Sequence, residues 1–81
     1  MQRFSDGEGK PERFGIWLRR CREVSGLTRK DLAALANLSQ LGLRDVELLR
    51  RMPTDAQRRR LVAAVAAVNP ELAATAPTEE P

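Results

Sequence analysis

Residues 26–47 read "GLTRKDLAALANLSQLGLRDVE", and the fold turns on how this stretch is punctuated. Gly26 can take a left-handed backbone and so end a helix. Thr28 offers a hydroxyl to cap the next helix, and Asp31 follows at the spacing of a capping box. Leu32, Ala33, Leu35 and Ala36 give that helix a compact face of small residues. Asn37 tolerates the left-handed conformation of a tight turn. Ser39 caps a third helix, in which Leu43, Val46 and Arg50 share one side. The stretch therefore predicts two short helices joined by the turn "ANLS".

The same signals extend outward. Residues 1–10 are polar and glycine-bearing, without periodicity, and predict a flexible arm. Pro11 suits the first turn of a helix, and Phe14, Leu18, Cys21 and Ser25 form its inward stripe. On the other side Pro53 ends the third helix and Thr54 caps a fourth, with Leu61, Ala64, Val65 and Val68 inward. Asn69-Pro70 stops it, and the Pro/Ala/acid-rich remainder is expected to fray. No stretch alternates with period two long enough for a strand. The expectation is an all-α, compact four- to five-helix domain over 11–69, between an arm (1–10) and a disordered tail (70–81). Its main helices fall at about 11–25, 28–36, 39–51 and 54–68.

Composition narrows the function. The chain has 81 residues and a formal net charge of +3. Residues 10–60 hold 13 Lys/Arg against 6 Asp/Glu, a balance of +7, while acids gather at both ends. A basic body with acidic ends fits a phosphate-binding surface; it equally fits a solvated surface that keeps a small domain soluble. There is no histidine and one cysteine. These counts argue against a zinc site, a His-based acid/base, a Cys–His pair or an internal disulfide. Cys21 reads as a small core residue rather than a nucleophile. Paired carboxylates and a glycine-rich phosphate loop are also missing, so neither an enzyme nor a bound cofactor or metal is expected. No apolar run has membrane-spanning length and the start lacks a signal-peptide core, which predicts a cytoplasmic protein. Heavy Ala/Arg usage points to a bacterial or phage source.

Residues 13–68 resemble the lambda-repressor/Cro-type helix-turn-helix family, also called the XRE family. Phe14, Gly15, Leu18, Arg19, Arg22, Gly26, Leu27, Thr28, Asp31, Leu32, Ala33, Ala36, Leu38, Ser39, Leu43, Val46 and Glu47 carry the resemblance. "PTDAQRRRLVAAVA" (53–66) is similar to the family's closing helix. The resemblance implies a helix-turn-helix domain whose third helix enters the DNA major groove. It also implies an ion pair between Arg22 and Glu47 that braces helix three against helix one; the alternative is that both face water. Arg29 and Lys30 would contact phosphates, and Gln40 would read a base, a glutamine being able to hold adenine bidentately. Leu41 and Asp45 take the next reading positions. Arg44 would hold a phosphate or a guanine, and Arg50 and Arg51 the far backbone. Double-stranded DNA, bound by a homodimer on a two-fold site, is the implied partner.

Other features point to a protein partner. Leu41, Asp45 and Leu48 follow at i, i+4 and i+7, the spacing of anchors in a groove. Trp17 and Val24 lie seven apart on the shoulder of helix one, and Trp is a favoured interface anchor. Trp17 can also simply pad the core edge. A helix-turn-helix adaptor binding a regulator or a toxin is therefore the alternative function. Val62 and Ala66, outward on the fourth helix, are candidates for contact between two copies.

Overall fold

The structure is a computed structural model and describes residues 13–77. The arm expected over 1–10, with Pro11, lies outside the described residues. Within them the chain is all-helical: α1 (Phe14–Val24), α2 (Arg29–Ala36), α3 (Gln40–Glu47), α4 (Asp55–Val68) and α5 (Pro70–Ala73). Local chemistry starts most of these helices. Thr28 Oγ1 accepts from the Asp31 N–H while Asp31 Oδ2 accepts from the Thr28 N–H, both at 3.1 Å, a complete capping box. Thr54 and Gln57 build a second. Ser39 Oγ accepts from the Gly42 N–H at 3.0 Å.

The first three helices stop by one device. In each, the residue past the end turns left-handed, and two N–H groups reach back to carbonyls that would otherwise lack partners. At α1 Gly26 has φ 74°, and the Leu27 and Gly26 N–H groups donate to Arg22 and Glu23. At α2 Asn37 has φ 58°, with Leu38 and Asn37 donating to Ala33 and Ala34. At α3 Leu49 has φ 63°, with Arg50 and Leu49 donating to Asp45 and Val46. Glycine and asparagine adopt this conformation readily, whereas leucine does so at a cost of about 1–2 kcal/mol.

That third turn corrects the expected helix over 39–51. The physical reason is the close crossing of α1 and α3 at Gly15. A Cβ there would collide with the Val46 carbonyl oxygen and sit 2.8 Å from Leu49 Cδ2. At this left-handed turn the Leu49 side chain lies over the glycine. Arg50, expected beside Leu43 and Val46, is exposed beyond the turn.

The core collects Phe14, Trp17, Leu18 and Cys21 from α1, Leu32, Ala33 and Ala36 from α2, Leu43 and Val46 from α3, and Leu61, Ala64 and Val65 from α4. Leu35 and Val68, expected inward, are exposed. Arg60 Nε donates to the Ala36 carbonyl at 3.0 Å, tying the end of α2 to α4. Among the described residues no helix is long and apolar enough to cross a membrane.

The segment from residue 70, expected to fray, folds back on the core over 70–77; residues 78–81 of the expected tail lie outside the described residues. Asn69 caps α5, and Leu72, Ala73 and Ala76 pack on the core. This segment covers Trp17, which is only 1% exposed and donates from Nε1 to Thr75 Oγ1 at 3.0 Å. Arg58 fastens the same edge. Its guanidinium stacks 4.4 Å over the Phe14 ring centroid and donates to the Pro77 carbonyl at 2.8 Å.

Candidate functional site

The centre of the charged face is Glu47, the last residue of α3. Its side chain is 0% exposed. A carboxylate removed from water needs partners for both oxygens. Arg22, from α1, supplies a two-pronged contact: Nε donates to Oε2 at 2.7 Å and Nη2 to Oε1 at 3.1 Å. Its remaining terminal nitrogen, Nη1, donates to the Leu27 carbonyl at 3.0 Å. Arg29, the first residue of α2, adds a third bond, from Nε to Oε1 at 3.0 Å. One carboxylate thus joins α1, α2 and α3. The bond to Glu47 holds the Arg22 guanidinium above its ordinary basicity, so Arg22 stays charged.

The two arginines differ in depth. The Arg22 side chain is 11% exposed, that of Arg29 35%. Two cations on one carboxylate leave a net positive charge, and Arg29 carries it outward. It opens onto a shallow surface depression lined by Arg22, Leu27, Thr28, Arg29, Gln40, Leu41 and Arg44. Residues from the first turns of both α2 and α3 line it. The lining holds three arginines and no carboxylate; Glu47 lies beneath. The surface is cationic and offers Gln40 and Leu41 beside the arginines.

Of the residues singled out in the sequence, Arg29, Gln40, Leu41 and Arg44 are brought together around this depression. Arg51 lies close by: its Nη1 is 3.8 Å from where a Gly42 side chain would begin, so it folds back along α3. Lys30 is exposed on the first turn of α2 but does not line the depression. Asp45 is half-buried on α3, and it too stands outside the lining. Leu41 is 62% exposed, whereas Leu48 sits in the turn that ends α3. Leu48 is itself 36% exposed, and Asp45 between them is half-buried. Trp17 is buried under the C-terminal segment and is not a surface anchor; Val24 remains exposed. Val62 and Ala66 are half-buried.

The bond from Arg29 to Glu47 had no signal in the sequence. The partners are 18 positions apart, and position 29 suggested only a cation at a helix start. At that same start the Thr28 backbone N–H holds the Asp31 carboxyl below its ordinary range. Among the described residues no group of three His, Cys, Asp or Glu side chains could hold a metal ion. The chain matches no family model, and comparison with curated proteins and with solved structures finds no match.

Proposed function

We propose that the protein is a sequence-specific DNA-binding transcriptional regulator of the helix-turn-helix type. In this reading α2 and α3 form the motif and α3 enters the major groove with its N-terminal residues toward the bases. The observation that carries the reading is the common depression. Arg29 and Arg44, suited to phosphates, stand beside Gln40, suited to a base edge, with no acidic side chain in the lining. Leu41 adds an apolar contact of the kind that fits a thymine methyl. The protein acts as a homodimer on a two-fold site, as such motifs commonly do.

The test is fluorescence anisotropy with labelled duplexes selected from a random pool, repeated over a salt series. Affinity falls steeply as salt rises, and Gln40→Ala removes sequence preference while leaving the melting temperature unchanged. Absence of binding to any duplex at low salt refutes the reading.

A second reading rests on Leu41, a large apolar side chain left mostly exposed at the middle of the site. There the same face grips a partner regulator or a toxin. Leu41→Asp then abolishes capture of that partner from the host while the fold is retained. Under the DNA reading the same change weakens duplex binding.

A further inference from the structure

The donors on Arg29 divide into two sets. Nε is engaged by the buried Glu47 carboxylate. The side chain that carries the terminal nitrogens is 35% exposed and lines the depression. A guanidinium is a planar fork with donors on more than one edge, so it can hold a carboxylate on one edge and a phosphate on another. Glu47 itself cannot move. It is fully buried and gripped by Arg22 through two bonds. We propose that Glu47 is a positioning residue for DNA binding, holding Arg29 so that its terminal nitrogens clamp one backbone phosphate beside the base that Gln40 reads. This inference rests on the DNA reading above and adds to it how one contact is oriented.

Arg29 differs from Arg44. Both line the depression, but only Arg29 is fixed from behind. A lysine at position 29 keeps the charge, yet its single ammonium cannot hold both partners in a planar, two-edged geometry. If charge alone mattered, lysine would substitute freely at either position.

The experiment measures binding of a mixed-sequence duplex over a potassium chloride series, because phosphate contacts do not depend on sequence. Arg29→Met lowers the slope of log affinity against log salt by about 0.9, the loss of one phosphate contact. Arg29→Lys resembles Arg29→Met, whereas Arg44→Lys resembles the parent protein. In a Glu47→Gln background, Arg29→Met changes the slope less than it does in the parent. Full rescue by Arg29→Lys overturns the positioning role, as does an equal effect of Arg29→Met in both backgrounds. If Glu47→Gln does not fold, the lysine comparison decides alone. An unchanged slope in Arg29→Met overturns the phosphate contact while leaving the DNA reading intact. A parent protein with no salt-dependent binding defeats the DNA reading itself.

Discussion

Replacing Glu47 by Ala removes the one acceptor shared by three helices, and the cost follows from what it leaves behind. Arg22 loses both of its bonds to the carboxylate and keeps only the Leu27 carbonyl. With its side chain 11% exposed, water cannot restore the missing partners. Breaking a buried ion pair from one side typically costs about 3–5 kcal/mol, because a charge remains without compensation. Arg29 contributes much less: being 35% exposed, it regains solvent when released, so its bond is worth at most about 1 kcal/mol. Arg22→Met falls between them, since Glu47 then keeps one bond from Arg29. The expected order of destabilisation is Glu47→Ala, then Arg22→Met, then Arg29→Met. In a domain of this size each kcal/mol lowers the melting temperature by roughly 4–8 °C. Urea denaturation followed by circular dichroism, with thermal melts beside it, measures all three. A loss below about 1 kcal/mol for Glu47→Ala would show that the cluster is open to solvent and refute the reasoning.

Two further outcomes follow from single positions. Gly15→Ala drives a methyl group into the Val46 carbonyl and the Leu49 side chain, so α1 must shift from α3 at a cost of about 1–3 kcal/mol, read by the same melts. The Asp31 carboxyl, held low chiefly by the Thr28 N–H, favours the folded state through its charged form. Its contribution is fully present above the ordinary carboxylate pKa of about 3.9 and is lost as pH falls through the depressed folded value. Asp31→Asn therefore narrows the stability gap between neutral pH and pH of about 3.

How much of this was legible in the sequence depended on the reach of each interaction. Thr28, Ser39 and Thr54 cap helices because their hydroxyls meet N–H groups three residues on, so local spacing is sufficient evidence. Gly26 and Asn37 declare their turns by residue type. Leu49 makes the same turn as a leucine, which its residue type does not announce, so the sequence suggests a longer α3 than the structure has. For Trp17 the sequence leaves a surface anchor and core padding both open, for a related reason. Its cover is the segment around Thr75, 58 positions away, whose composition suggested a frayed tail. For the candidate site, Gln40, Leu41 and Arg44 gather because their spacing puts them on one side of α3. The tie from Arg29 to Glu47 required the helices to be placed first.

The crossing at Gly15 also bears on the charged site. Val46 is the residue whose carbonyl Gly15 meets, and Glu47 is its neighbour on the same last turn of α3. Two turns further along α1 stands Arg22, which holds Glu47. Backbone contact at one end of the crossing and the ion pair at the other fix the angle of α3 against α1. The unfavourable turn at Leu49 belongs to this arrangement. It ends α3 directly after Glu47, so that the carboxylate lies at a helix terminus with the Asp45 and Val46 carbonyls already bonded. Leu49 Cδ2 and the Val46 carbonyl both lie against Gly15 at the crossing. The strain of one leucine is thus set against the packing of α1 on α3, and the orientation of Arg29 and Gln40 depends on that packing.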